Sequence, residues 1–277
     1  MIGRALTFIR FSHTVFAMPF ALGAMLVAAH GFPPARIVAL IVLSMVFART
    51  AAMTFNRLAD WELDKRNPRT AGRHKLLPRP VAIAMLCISS IAFVAATWWI
   101  NPICFRLSPL ALVIVFFYSL TKRFTSGAQF FLGLALAVAP VGAWLAVTGA
   151  FALPPLVLAT GVICWLAGFD IIYACMDYEV DRKEGLKSMV VLLGIPGALR
   201  CAEILHTAMF ILLIAFGFAA KLGPTYYTSL AFVLGALVYE HRVAKKLDVD
   251  SINKAFFQSN AFVSIVFVAG ICADRLL

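Results

Sequence analysis

The sequence predicts an all-α polytopic membrane protein with about nine transmembrane helices in a single bundle. Of its 277 residues, 62% are hydrophobic and only 13% are charged, and the mean hydropathy is +0.93. Soluble domains average about 45–50% apolar and about 25% charged residues. The apolar residues fall into nine stretches, each close to the ~20 residues that a spanning helix needs. No barrel-type alternation is present, which leaves helices as the structure that satisfies the backbone in lipid.

The nine apolar stretches place the predicted helices. Their approximate centres are Ala21, Leu43, Ile91, Ile114, Leu136, Val162, Leu212, Phe232 and Ile265. The first stretch follows Arg4 and Arg10 without a convincing small-residue cleavage site, so we expect it to be retained as the first helix. The six cysteines are scattered through apolar segments without a CxxC pair, which indicates small core residues rather than disulfides or zinc ligands. We therefore predict one transmembrane domain over residues 1–277.

The basic residues orient this domain. With the N-terminus assigned to the cytosol, 19 of the 24 Lys and Arg residues fall in inner segments and four in outer segments, while Arg49 lies inside a helix. This asymmetry follows the positive-inside rule. Basic loops also attract anionic headgroups, so the net charge of +11 indicates a lipid bilayer and not a nucleic acid as partner. The pattern predicts a multi-pass protein of the cytoplasmic (inner) membrane whose polar loops face the cytosol.

An internal repeat connects the two longest inner loops. Residues 59–66 read ADWELDKR and residues 176–183 read MDYEVDRK, 117 positions later. Aligned without gaps, the repeat pairs Asp60 with Asp177 and Asp64 with Asp181. The offset corresponds to four helices, and an even number of spans places both acidic clusters on the same side of the membrane. The repeat predicts two related halves.

Each acidic cluster is spaced for one face of a helix. The first contains Asn56, Asp60 and Asp64; the second contains Asp177 and Asp181, with Tyr173 in the place equivalent to Asn56. Residues four apart on a helix differ by about 40° in direction and by about 6 Å in height, so each set forms one stripe. Carboxylates stacked in this way repel one another and need a countercharge. A hard divalent cation such as Mg²⁺ supplies it and completes its shell with phosphate oxygens.

Basic residues surround both clusters, which favours a site for Mg²⁺ together with a polyanion such as a diphosphate. They are Arg66, Arg69, Arg73 and Lys75 after the first cluster, Lys122 and Arg123 at the end of the fourth helix, and Lys183 and Lys187 after the second cluster. Three alternatives stay open from the residues alone: solvated loops whose charges only obey topology, a Mg²⁺ site for a soluble substrate, and a cation or metabolite transporter. A transporter usually places ionisable groups near the membrane midplane, whereas these acids are predicted at helix ends.

Through these residues the chain resembles the UbiA superfamily of membrane prenyltransferases. Its first motif is similar to N-D-x-x-D-x-x-x-D and stands here as NRLADWELD over residues 56–64; Arg57 replaces the Asp that often follows the first Asn. The second motif is similar to DIIYACMDYEVDRKEGLKS over residues 170–188, and the YxxxK element between them matches Tyr118 and Lys122. The three motifs occur in order, and the resemblance covers essentially the whole chain.

The resemblance implies two Mg²⁺ ions that clamp a polyprenyl diphosphate. The residues that carry over as metal or diphosphate positions are Asn56, Asp60, Asp64, Asp177 and Asp181. Tyr118 and Lys122 would lie near the diphosphate, and Lys122 and the four aspartates would be catalytic. Further substrate-binding candidates are Arg66, Arg69, Arg73, Tyr173 and Lys187.

The implied reaction moves a polyprenyl group onto an aromatic acid in the synthesis of a respiratory quinone. The segment NPRTAGR over residues 67–73 resembles the 4-hydroxybenzoate polyprenyltransferase branch, whereas the first helix lacks the DKPIG-like stretch of the ubiquinone enzymes. The acceptor is therefore open between 4-hydroxybenzoate and a dihydroxynaphthoate of menaquinone synthesis. A non-aromatic acceptor is a further alternative.

Arg49 is a candidate substrate-binding residue by position, independently of any family motif. It precedes Asn56 by seven residues and Asp60 by eleven, so on one helix the three fall within an arc of roughly 60°. An arginine within a spanning helix normally faces a cavity or a partner. A guanidinium there could anchor the carboxylate of an aromatic acid. The alternative is a structural ion pair, for example with Asp170.

Overall fold

The computed structural model describes residues 2–9, 18–66, 72, 75–183, 185, 187–245 and 249–276, and over these ranges the regular structure is helical. The α-helices are α1 Ile2–Phe8, α2 Met18–Ala29, α3 Ala35–Ala59, α4 Trp61–Arg66, α5 Arg79–Ile100, α6 Pro102–Thr121, α7 Ala128–Thr148, α8 Leu153–Ala174, α9 Tyr178–Lys183, α10 Met189–Ala219, α11 Pro224–Ala244 and α12 Val249–Leu276. A turn of 3₁₀ helix, Cys175–Asp177, joins α8 to α9.

The predicted membrane bundle is confirmed. Within the described ranges, seven helices are long and apolar enough to cross a bilayer: α3, α5, α6, α7, α8, α10 and α12. Helix α2 is a shorter apolar helix of 12 residues, and α11 has 21 residues but more polar ones. Each of the nine predicted centres lies in one of these helices. The predicted number of nine is therefore approximate as a count of full spans.

Proline and a capping asparagine explain where several helices begin. Helices α5, α6, α8 and α11 each carry a proline in their first two positions, where its missing N–H costs no hydrogen bond. Asn101 caps α6 by accepting a hydrogen bond from the N–H of Cys104 at 2.9 Å. Its amide also donates to the carbonyl of Leu145 at 2.8 Å, which ties the start of α6 to the end of α7.

Exposed aromatic side chains lie at the end of the bundle opposite the acidic clusters. Phe32, Trp98, Trp99 and Phe151 are each more than half exposed, and they lie in or beside the loops at the ends of α2, α5 and α7. Exposed aromatic residues at helix ends are typical of the membrane–water interface. The acidic clusters follow the opposite ends of α3 and α8, and at that end Phe124, next to Arg123, is also about half exposed.

Small residues bring α8 close to its two neighbours. A side chain added at Gly133 of α7 would come within 2.8 Å of the backbone oxygen of Ile163, and one at Gly168 would come within 2.5 Å of Nε2 of His206 in α10. Close backbone approach through glycine is the usual means of packing helices in lipid, where no hydrophobic force drives them together. These contacts fix α8, whose C-terminal end leads into the second acidic cluster.

Candidate active site

The first acidic cluster lies at a bend and not on one continuous helix. Asn56 is in the last turn of α3, Asp60 ends that helix with φ −95° and ψ 12°, and Asp64 lies in α4. The N–H of Asp60 donates to the carbonyl of Asn56 at 3.0 Å, and the N–H of Asp64 donates to the carbonyl of Asp60 at 2.7 Å. These backbone bonds keep the four-residue spacing, but the prediction of one stripe on a single helix is wrong because α3 ends before Asp60 and α4 begins after it.

Asp60 is buried and ion-paired with the end of α6. Lys122 Nζ donates to Asp60 Oδ2, and Arg123 Nη2 lies 3.7 Å from Asp60 Oδ1. Arg123 also donates to the carbonyl of Ala59 at 2.6 Å. The Asp60 side chain is 8% exposed, whereas the Lys122 side chain is 50% exposed. Lys122 therefore has room to turn away from Asp60 towards a ligand.

Asp64 is paired with a buried arginine of the same cluster. Arg57 Nη1 lies 3.9 Å from Asp64 Oδ2, with side-chain exposures of 7% and 13%. Arg57 Nε also donates to the carbonyl of Phe8 at the end of α1, at 3.3 Å. The first cluster therefore contains two carboxylates with different cationic partners.

The second acidic cluster repeats the local structure of the first. Asp170 and Tyr173 lie in the last turns of α8, Asp177 ends the 3₁₀ turn, and Asp181 lies in α9. Helices α4 and α9 have six residues each, and both their first and last residues are 117 positions apart. This is the offset of the sequence repeat and supports the interpretation of two related halves. As in the first cluster, a break in the helix replaces the predicted continuous stripe.

A large cavity opens between α3, α5, α6, α7 and α8. Its volume is about 1080 Å³, and most of its wall consists of aliphatic and aromatic side chains. The wall also contains side chains that can carry charge or hydrogen-bond a substrate: Arg49, Asn56, Arg57, Tyr118, Asp170 and Tyr173. Tyr118 has Arg49, Arg57 and Asp60 as charged neighbours. The cavity therefore adjoins the first acidic cluster through Tyr118 and Asn56.

The structure brings some predicted site residues together and leaves others apart. Arg49, Asn56, Tyr118 and Tyr173 line one cavity, as does the alternative partner Asp170. The wall does not include Asp60, Asp64, Asp177, Asp181 or Lys122, of which Asp60 and Lys122 contact each other. Lys187 is exposed and directly precedes Ser188, which caps α10. Arg69, Arg73 and the side chain of Arg66 lie outside the described residues.

The sequence pattern of the UbiA prenyltransferase family matches residues 17–266. This chain belongs to the UbiA prenyltransferase family. It is 30% identical to the 4-hydroxybenzoate octaprenyltransferase of Vibrio campbellii over 256 residues, which cover 90% of this chain and 88% of the relative. The enzyme of Marinobacter nauticus with the same name is 29% identical over 257 residues, covering 91% of this chain and 86% of that one. The protein is therefore a membrane-embedded prenyltransferase.

Solved structures share the fold of this UbiA-family chain. The apo structure of a UbiA homologue from Aeropyrum pernix K1 superposes with a TM-score of 0.86 at 31% identity, covering 96% of this chain and 98% of that one. A UbiA homologue from Archaeoglobus fulgidus bound to GPP and Mg²⁺ superposes with a TM-score of 0.74 at 21% identity, covering 99% and 100%. The second likeness shows the fold alone.

The donor set of this UbiA-family site fits a hard divalent cation. The amide of Asn56 and the carboxylates of the two clusters offer only oxygen, the ligand that Mg²⁺ prefers. Asp60 Oδ1 is buried and accepts no hydrogen bond, with Arg123 Nη2 3.7 Å away, so this oxygen has acceptor capacity that no donor fills. Among the residues that the structure describes, no three His, Cys, Asp or Glu side chains converge to hold a metal ion by themselves. This arrangement suits a cation that completes its shell with water and substrate phosphate.

Two basic residues beside the first cluster have no site role assigned from the sequence, although Arg123 is one of the basic residues that surround the clusters. Arg123 contacts Asp60, and Arg57 contacts Asp64 and lines the cavity. Arg123 directly follows Lys122, and Arg57 stands inside the motif itself, so both had a signal in the sequence. That signal shows only proximity along the chain, because a side chain at a helix end can point to solvent or inward.

Proposed function

We propose that this enzyme transfers a polyprenyl group from a polyprenyl diphosphate to a hydroxylated aromatic carboxylate such as 4-hydroxybenzoate, with Mg²⁺ as cofactor, in respiratory quinone biosynthesis. The observation that carries the proposal is the mainly apolar cavity that adjoins the buried Asp60–Lys122 pair and contains Arg49 in its wall. The names of the relatives at 29–30% identity favour the same acceptor.

The two parts of the donor substrate fit two parts of the cavity: the apolar wall and the end beside Asp60 and Lys122. A polyprenyl chain is apolar, and the wall of the cavity offers aliphatic side chains together with Phe93, Phe151 and Phe169. The diphosphate would lie where Lys122 and Arg123 meet Asp60, with Tyr118, Lys187 and the basic loop residues Arg66, Arg69 and Arg73 as further anion-binding candidates. Asn56, Asp60, Asp64, Asp177 and Asp181 would be the oxygen ligands available to Mg²⁺.

The acceptor substrate matches Arg49. The guanidinium lies on the cavity wall two helical turns from Asn56, with Tyr118 as its neighbour. A guanidinium binds a carboxylate through two parallel hydrogen bonds, which fixes the direction of the attached ring. We assign the acceptor carboxylate to Arg49, so that the hydroxyl end of the ring points along the cavity; Tyr173 lies in the same wall.

The proposed chemistry is electrophilic substitution of the ring. The allylic C–O bond breaks and its electron pair leaves with the diphosphate, whose growing charge Lys122 stabilises. A ring carbon activated by the hydroxyl forms the new C–C bond to the electron-poor allylic carbon, and a base removes the ring proton. Aromatic faces in the wall can stabilise the cationic carbon, and the apolar wall excludes water that would otherwise hydrolyse it. Bound Mg²⁺ would supply positive charge to the leaving diphosphate.

An assay of the purified protein tests the proposal. The protein receives a polyprenyl diphosphate and Mg²⁺ with 4-hydroxybenzoate and a dihydroxynaphthoate offered side by side, and we measure diphosphate release and product mass. We expect Mg²⁺-dependent release and a prenylated aromatic acid. A prenylated dihydroxynaphthoate would keep the acceptor class and change the acceptor, whereas a product formed only with a non-aromatic acceptor, or no release at all, would contradict the proposal.

A further inference from the structure

The two carboxylates of the first acidic cluster differ in how firmly their cationic partners are held. Asp60 pairs with Lys122, whose side chain is half exposed and lies at the end of α6. Asp64 pairs with Arg57, whose side chain is 7% exposed. An exposed lysine can exchange with a metal ion or turn towards a phosphate at little cost, because water replaces the contacts that it gives up. A buried guanidinium has no such replacement.

Arg57 is held in place from the other side by the N-terminal helix. Its Nε donates to the carbonyl of Phe8, the last residue of α1, where the end of a helix favours a positive charge. Phe8 and Ile9 are buried in an apolar cluster with Leu77 and with Trp61, which lies between Asp60 and Asp64 in the chain. Moving the guanidinium away from Asp64 would therefore also break its hydrogen bond to α1.

The guanidinium is also directed towards the substrate side. Arg57 lies in the cavity wall and is a charged neighbour of Tyr118. Burial reduces the screening of its charge by solvent and salt, so an anion at this end of the cavity meets a permanent positive charge. A metal ion bound at Asp64 would supply the same charge, but only when the ion is present.

We propose that Arg57 is a fixed countercation of the diphosphate site, which supplies at Asp64 the positive charge that a metal ion would otherwise bring. Asp64 then keeps Arg57 in position and needs no ion of its own, and the enzyme takes up one Mg²⁺ fewer per diphosphate than it would without the arginine. This inference rests on the proposed function, because it takes a diphosphate as the ligand. According to this inference, Asn56 and Asp60 are the residues of the first cluster that would coordinate Mg²⁺, and Asp64 would not.

The test measures how binding of inorganic pyrophosphate depends on Mg²⁺. Binding to the purified full-length protein is measured by calorimetry over a range of free Mg²⁺, with correction for the ion bound by free pyrophosphate. By linkage, the slope of log affinity against log free Mg²⁺ gives the number of ions taken up with each pyrophosphate. We expect Arg57→Gln to raise this slope by about one, because an additional Mg²⁺ ion takes the place of the guanidinium. The variant should bind pyrophosphate weakly at low Mg²⁺ and approach the wild-type affinity at high Mg²⁺.

Two further variants distinguish the effect of the charge of Arg57 from the effect of its packing. Arg57→Lys keeps a positive charge and should keep the wild-type slope, and Lys65→Gln, which removes an exposed lysine paired with Glu62, should change nothing. A structural role for Arg57 would weaken binding at every Mg²⁺ concentration without changing the slope, and this result would overturn the proposal.

A second measurement covers the case in which Arg57→Gln does not fold. Asp64→Asn should leave the slope unchanged in the presence of Arg57, whereas a fall of about one would show that Asp64 binds an ion and would reject the inference. Wild-type protein that binds no pyrophosphate at any Mg²⁺ concentration would instead reject the proposed function.

Discussion

At the scale of single residues, the two aspartates of the first cluster have cationic partners that differ in exposure: Lys122 is half exposed and Arg57 is buried. Asp60 and Arg57 are both less than a tenth exposed, and each has a polar partner that holds it in place. Buried charge is tolerated only where such partners exist. Glu62 and Glu179, which belong to the same repeated octapeptides, are exposed, and Glu62 pairs with the exposed Lys65. Exposure therefore distinguishes these two glutamates from the aspartates of the clusters, which are buried or half-buried.

The first prediction concerns the equivalent aspartates of the two clusters. Asp60→Ala and Asp177→Ala should each abolish Mg²⁺-dependent turnover while the protein remains folded in membranes, because each removes a carboxylate for which water is a poor substitute. Glu62→Ala and Glu179→Ala are the matched controls and should retain activity within about threefold, since exposed surface substitutions have small effects. Turnover and monodispersity in detergent are measured together. Near-normal activity in either aspartate variant would contradict a site built from both clusters.

The second prediction concerns Arg49. Arg49→Leu should raise KM for the aromatic acid by about tenfold or more, because a bidentate charged hydrogen bond is lost, and should leave pyrophosphate binding within about threefold. The other interpretation, a structural ion pair with Asp170, predicts loss of folded protein that Asp170→Asn partly restores. Acceptor KM, pyrophosphate affinity and yield of folded protein distinguish the two. Unchanged KM in a folded Arg49→Leu protein would remove the anchoring role.

At the scale of elements, α8 connects the catalytic half of the bundle with the C-terminal helices. One of its faces lines the cavity with Phe169, Asp170 and Tyr173, while Gly168 faces His206 of α10. His206 bonds the carbonyl of Trp165 at 3.2 Å and His241 of α11 at 2.9 Å. Because a backbone carbonyl only accepts, Nε2 of His206 carries the proton and Nδ1 accepts from His241. These two hydrogen bonds of His206 hold α8 in position along its axis relative to α10 and α11, and the second acidic cluster follows α8.

The third prediction tests this contact. Gly168→Ala should destabilise the protein by about 1–3 kcal/mol, since the added methyl group overlaps His206 and forces it from its hydrogen bonds. The control is Gly235→Ala in α11, where the added carbon meets nothing within 4 Å. Thermal unfolding in the same detergent measures both variants. Equal unfolding temperatures for the two would show that the α8–α10 contact is more adaptable than its geometry indicates.

At the scale of the whole molecule, both acidic clusters follow the C-terminal ends of their long helices, α3 and α8, and so lie at the same end of the bundle. The positive-inside rule predicts that the acidic end faces the cytosol. Both substrates would then reach the site from the inner leaflet and the cytosol.

The fourth prediction checks this orientation. Arg182→Cys, in α9 beside the second cluster, should react with a membrane-impermeant thiol reagent in inside-out vesicles and not in right-side-out vesicles. Ala150→Cys, in the exposed loop between α7 and α8, should show the opposite pattern. The wild-type protein, with its six cysteines, serves as the background. Labelling of Arg182→Cys only from the outside would place the site on the other face of the membrane.

The sequence by itself determined the fold class, the approximate helices and the residue types of the site. The free energy of burying apolar residues in lipid is set by windows of about 20 residues, so it can be read without knowledge of the rest of the chain. The motif around Asn56, Asp60 and Asp64 and its repeat 117 residues later are also local patterns. They were enough to indicate an oxygen-ligated, anion-binding site on one face of the membrane.

Only the tertiary structure decided which cations meet which acids. Lys122 is 62 positions from Asp60, and the carbonyl of Phe8 is 49 positions from Arg57, so both contacts depend on how α3 packs against α6 and α1. The bends at Asp60 and at Cys175–Asp177 were likewise not predicted, because a period of four residues is compatible with both a straight and an interrupted helix. Helix packing in lipid depends on small residues and polar contacts between distant segments, and these leave no periodic signal in the sequence.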